Sequence, residues 1–189
     1  MRVIGVDPGS AVTGYGVVDG DGRKFLRIDS GTICTRPRDP GPHRLRTIYE
    51  RMTSLLDHHA PDAVSLERSF VAENVQSAFR LGEARAMILL AAAQRDLELF
   101  EYNPTDVKLT VAGYGRADKS QVKFMIRRAF ELDESIELAN DAADALALAL
   151  CHLTMARNPA ALSAMSARAP RSWRVVARKA SGQGPGKVQ

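Results

Sequence analysis

A chain of 189 residues, 45% hydrophobic and 25% charged, has the size and composition of one globular domain with a core of its own. Its longest apolar run, Ala86–Ala93, falls far short of the about 20 residues a membrane span needs. The opening Met1-Arg2-Val3-Ile4-Gly5-Val6-Asp7 has neither the apolar core nor the cleavage site of a signal peptide. Cys34 and Cys151 are too few for a zinc site or a disulfide framework, so a reduced, cytoplasmic protein is expected. The net charge of +4 is unevenly spread: from Arg157 onward there are 7 basic residues and no acid, which leaves 19 basic against 22 acidic before it, a net of −3. A basic tail suits a polyanionic partner, and equally keeps an unstructured end in solution.

Along the chain, Arg2–Asp7 is a short apolar run stopped by Asp-Pro-Gly-Ser, the pattern of a buried strand ending in a turn. Gly14–Val18 and Lys24–Cys34 read as two further strands, with Asp19-Gly20-Asp21-Gly22 as the hairpin turn. Arg36–Pro42, with three prolines, reads as a loop. Leu45, Ile48, Met52, Leu55 and Leu56 then recur at helical spacing and predict an amphipathic helix over Arg44–His59, ended by Pro61. Asp62–Glu67 is a fourth strand, followed by a long Ala- and Leu-rich helix from Asn74 to Arg95 and a fifth strand over Glu98–Tyr102. Pro104 opens a helix, Val111–Ala117 is a glycine-bearing loop, and Asp118 caps a helix reaching Phe130. The last helix runs from Asn140 to Ala156. Beyond Pro159 no period is sustained, and disorder is expected. The order predicts an α/β domain over residues 1–156, with a mixed five-stranded sheet flanked by helices, and a basic tail over 157–189.

Four acids carry the strongest chemical signal. Asp7 ends the first strand and Glu67 the fourth, at the sheet rim where open α/β sheets place their sites. Asp141 and Asp144 are three apart, and so share one face of a helix start whose other residues are apolar or small. Taken singly, Asp7 fits a turn and Asp141 fits a helix cap. Taken together, four acids in apolar surroundings need compensation, because uncompensated buried charge is costly. Divalent cations supply it: Mg²⁺ takes hard oxygen ligands, and a pair of such ions about 4 Å apart promotes phosphodiester hydrolysis. The histidines fit this centre poorly. His58 and His59 close a helix, His43 stands beside the proline loop, and His152 lies eight residues past Asp144, about 12 Å along the helix.

At these residues the chain resembles the RuvC family of Holliday junction resolvases. The similar segments are Gly5-Val6-Asp7-Pro8-Gly9-Ser10 with Thr13-Gly14-Tyr15-Gly16-Val17, Leu66-Glu67-Arg68-Ser69-Phe70 with Asn74, Lys119-Ser120-Gln121-Val122, and Asp141-Ala142-Ala143-Asp144-Ala145-Leu146. They occur in the family's order and span about residues 1–156. The resemblance implies an RNase H-like fold, with Asp7, Glu67, Asp141 and Asp144 as a metal-binding catalytic centre for two Mg²⁺ ions, or Mn²⁺ in their place. It implies a homodimer that nicks a four-way DNA junction symmetrically and works with the RuvA–RuvB branch-migration complex. Lys108 and Lys119 are similar to the family's basic residues near the scissile phosphate, and Phe70 to an aromatic that meets bases at the opened junction. Glu73 stands where the resemblance leads one to expect a basic residue, and the tail with Trp173 has no counterpart.

Other readings stay open on residues alone. A sugar-kinase-like phosphotransferase shares the opening strand, acid and glycine turn, but needs two such domains. A non-catalytic DNA-binding module would have no reason to keep four acids. A nuclease of RNA–DNA hybrids would use the same acids, and only the family resemblance separates it from a junction resolvase.

Overall fold

The computed structural model describes residues 1–68 and 75–158. In chain order the elements are β1 (Arg2–Asp7), β2 (Val12–Gly20), β3 (Phe25–Cys34), α1 (Gly41–His59), β4 (Ala63–Glu67), α2 (Val75–Ala93), β5 (Glu98–Tyr102), α3 (Pro104–Ala112), α4 (Lys119–Ala129) and α5 (Asn140–Ala156). The five strands form one sheet in the order β3-β2-β1-β4-β5. β1–β2 and β2–β3 are antiparallel, whereas β1–β4 and β4–β5 are parallel. Tight turns suffice for the antiparallel pairs, and α1 and α2 provide the crossovers that parallel neighbours require.

Side-chain alternation along the strands sorts the core into two layers. Ile4 and Val6 of β1, with Val64 and Leu66 of β4, point to one face and pack with Ile48, Met52 and Leu56 of α1 and Ala84 and Ile88 of α2. Val3 points to the other face and joins the layer built on α5 and roofed by α3 and α4. Ser65 shares that second face, where its hydroxyl donates to Leu148 O at 2.9 Å. By the same parity Asp7 and Glu67 are directed to the α5 side. Each fully buried Val, Leu or Ile in these layers stabilises the fold by about 1.5–3 kcal/mol. α5 lies unusually close to the sheet: a Cβ on Gly5 would sit 1.9 Å from Ala145 O.

The mixed sheet and all five helices stand where the sequence puts them, with differences at the ends. β2 extends to Gly20, so the hairpin turn lies two residues later than expected. Asp21 makes it, its Oδ1 accepting from Arg23 N and Lys24 N at 2.8 Å each. α1 begins at Gly41, inside the stretch read as a proline loop, because a proline in the first helical turn gives up only an amide that would have no partner. α3 runs to Ala112, where Gly113 terminates it in the left-handed conformation (φ 83). Asp118 caps α4 in a reciprocal capping box with Gln121. Asn74, Phe70, Glu73 and the expected disordered tail beyond Pro159 lie outside the described residues.

Candidate active site

Three of the four predicted acids converge on one cleft. Asp7, Glu67 and Asp144 line it together with Lys108 and Lys119, in a volume of about 350 Å³. β1 and β4 end side by side and deliver the first two carboxylates to the same rim. α5 crosses with its first turns over that rim and adds the third. Asp141, one turn earlier, does not line the cleft, yet its charge is felt there by Asp7 and Lys119. Phe70 lies outside the described residues.

Apolar residues form the floor: Val107, Val122, Ala147 and Leu148, with Pro104 beside them. No sequence motif marks these lining residues, although 144, 147 and 148 show the i, i+3, i+4 spacing of one helix face. This floor sets the electrostatics. Burial, and then repulsion from Asp144, Glu67 and Asp141, raise the pKa of Asp7 to about 7, against partial relief from Lys119. Glu67 is raised by burial first and by Asp144 next, with Lys119 and Lys108 acting the other way. Lys119 Nζ stands 3.4 Å from Asp144 Oδ2, and that carboxylate is the largest cause of its raised pKa.

A cluster of hard oxygen donors in which Asp7 and Glu67 are both pushed above the usual carboxylate range is chemically suited to a divalent cation. Among the described residues, no three His, Cys, Asp or Glu side chains are gathered closely enough to hold a metal ion as they stand. His152 takes no part. It is a core residue whose Nδ1 lies 2.7 Å from the Tyr102 hydroxyl, and burial pushes its pKa down to about 4.

The raised Asp7 pKa makes a stability prediction. Its ordinary value is 3.8, so between 3.8 and about 7 the folded state holds a proton that the unfolded state has released. Below 3.8 nothing is lost, and the penalty is complete above about 7. In EDTA the folded chain should therefore lose stability as pH rises through this window, by up to about 4 kcal/mol. Urea midpoints at about pH 5 and about pH 8 would show it. Asp7→Asn should flatten the slope, and an unchanged slope in that variant would refute the assignment.

A mixed five-stranded sheet covered by helices, with Asp7 and Glu67 at the ends of two parallel strands and Asp144 brought beside them by α5, is the arrangement of the RNase H-like class of nucleases. The chain belongs to the RuvC family: residues 3–152 match the family described as crossover junction endodeoxyribonuclease RuvC. The crossover junction endodeoxyribonuclease RuvC of Syntrophotalea carbinolica is 44% identical over 152 residues, covering 80% of this chain and 93% of its own. That of Magnetococcus marinus is 46% identical over 153 residues, covering 81% and 84%. Among solved structures, T. thermophilus RuvC in complex with Holliday junction substrate matches with a TM-score of 0.78 at 34% identity, over 83% of this chain and 95% of that one. The yeast mitochondrial Holliday junction resolvase, at 16% identity and a TM-score of 0.60, shares the fold.

Proposed function

We propose that Asp7, Glu67, Asp141 and Asp144 form the catalytic centre of a structure-specific endonuclease that resolves Holliday junctions by symmetric paired nicks during recombination and repair. The observation that carries this reading is the single cleft in which Asp7, Glu67 and Asp144 meet Lys108 and Lys119. The four acids would hold two Mg²⁺ ions, or Mn²⁺, which when bound supply an activated water and charge stabilisation for phosphodiester hydrolysis. Lys108 and Lys119 hold the scissile phosphate and offset charge as it develops. Water adds to phosphorus as the P–O3′ bond breaks, leaving 5′-phosphate and 3′-hydroxyl ends that a ligase can seal. Phe70 contacts bases at the opened junction. Residues 1–156 are the nuclease domain, and 157–189 a basic tail.

Two symmetric nicks need two sites, and a homodimer supplies them. An exposed stripe on α2 supports it. Val75, Phe79, Gly82, Ala86 and Leu90 follow helical spacing along one side, and Val75 and Phe79 are each 70% exposed. Apolar patches of this kind mark association surfaces. The RuvA–RuvB complex is the proposed partner in branch migration, and the cytoplasm the proposed location; no helix among the described residues is long and apolar enough to cross a membrane.

The test is a labelled four-way junction, a matched duplex and an RNA–DNA hybrid, each incubated with Mg²⁺ and with EDTA. Paired symmetric nicks confined to the junction and abolished by EDTA are expected. Cutting of the hybrid alone would overturn the substrate, and tight junction binding with no cutting of any substrate would overturn the enzyme.

A further inference from the structure

The end of β4 is held by a side chain from another element. Glu67 pairs with Tyr102 of β5, and the next amide, Arg68 N, donates to Tyr102 O at 2.8 Å. On the opposite side, pairing of β1 with β4 stops at Val6 opposite Leu66, and the chain leaves β1 through Asp7 and Pro8. Pro8 has no N–H with which to carry the ladder further. The donor to the Glu67 carbonyl comes instead from α2: Arg85 Nη1 reaches it at 2.8 Å.

The same guanidinium is fixed at its other nitrogen. Arg85 Nη2 donates to Glu101 Oε1, and Glu101 Oε2 faces Arg68 Nε at 3.7 Å. The Arg85 side chain is only 12% exposed and that of Glu101 20%, so this pair is shielded from solvent far better than an ordinary surface ion pair. A planar fork with several fixed donors suits the task of joining one carbonyl and one carboxylate at once, which a lysine point charge cannot do with the same geometry. Arg85 acts on the backbone of Glu67 and not on its charge: after burial, the groups that perturb the Glu67 carboxyl are Asp144, Lys119 and Lys108.

We infer that Arg85, locked by Glu101, is a positioning residue that fixes the direction in which β4 presents the Glu67 carboxylate to the cleft. This rests on the reading of Glu67 as a member of the catalytic centre. It assigns a function to an arginine that otherwise looks like a neutraliser on the inner side of an apolar helix.

The test uses the full chain with three readouts: Mg²⁺ affinity by calorimetry without DNA, single-turnover cutting of a synthetic junction, and junction affinity in EDTA. Arg85→Met should weaken Mg²⁺ binding and slow cutting by about 10- to 100-fold, the usual effect of removing a group that orients a ligand, with junction affinity in EDTA unchanged. Arg85→Lys, which keeps a single donor nitrogen in place of two, should recover part of both losses. A folded Arg85→Met protein with wild-type Mg²⁺ affinity and rate would overturn the inference. So would a loss of junction affinity in EDTA equal to the loss of rate, which would make Arg85 a DNA contact. If Arg85→Met does not fold, Glu101→Gln decides: it keeps the shape of the acceptor, and wild-type Mg²⁺ affinity in that variant overturns the proposal. Glu67→Gln is run alongside. Should it cut normally, the reading of the site fails; should it be inert beside a normal Arg85→Met, only the positioning inference fails.

Discussion

Replacing Asp7 by asparagine is expected to reduce junction cutting by on the order of 10³-fold or more, the scale set by losing a group that acts on the charge of the transition state, while junction affinity in EDTA is retained. Asp7 is the acid most deeply embedded in the cluster: its carboxyl answers to all three of its neighbours and is raised to about 7. Asparagine keeps the size and one oxygen but removes the negative charge that draws a cation. The fold has no need of that charge. Asp7 stands at the last position of β1, and the repulsion it suffers from Asp144, Glu67 and Asp141 destabilises the folded chain at neutral pH. The variant should thus unfold at a higher temperature than the wild type in EDTA, and lose the extra protection that Mg²⁺ gives the wild type. Single-turnover cutting, a binding isotherm and melting curves with and without Mg²⁺ check the three parts. A parallel loss of binding would place Asp7 in the DNA interface instead of the catalytic centre.

Much of this was legible from local signals. Strand parity is one: once Val6 and Leu66 are core residues, Asp7 and Glu67 must point to the opposite face from them. Helical spacing is another, since it puts Asp144 on the same side of α5 as Ala147 and Leu148. What stayed hidden depends on distant segments. Lys108 and Lys119 lie on different helices, and no periodicity says that both overlook one cleft. Asp141 shares a helix face with Asp144, yet stands one turn outside the cleft lining, a difference set by where α5 crosses the rim. Arg85 is hidden for a further reason: its partner is a backbone oxygen whose ladder donor is missing because a proline directly follows β1. The start of α1 at Gly41 is hidden because proline, a common loop signal, also serves as a helix opener.

Where α5 crosses the rim is decided by glycines on the strands beneath it, and this gives the second large expected effect. A Cβ on Gly14 would lie 2.0 Å from Asp141 O and 3.0 Å from Asp141 Cβ. Since the nearest atoms are backbone, no rotamer change relieves the clash. Gly14→Ala must lift the first turn of α5 from the sheet, the turn that carries Asp141 and precedes Asp144. Overpacking of this kind costs about 1–3 kcal/mol, and more where backbone must move, so a drop in melting temperature of roughly 2–12 °C is expected for a chain of this size. The larger consequence is chemical. Gly14 pairs with Asp7 across the β1–β2 ladder, so the inserted methyl drives apart the acids that the cleft must hold together. Misplacement of catalytic groups by about 1 Å costs about 10²-fold in rate. Gly14→Ala should accordingly cut at least that much more slowly at a temperature where it is fully folded, and need more Mg²⁺ to do so. Normal cutting by a folded Gly14→Ala protein would mean that α5 adjusts without moving its acids, and that contact between helix and sheet does not set the geometry of the site.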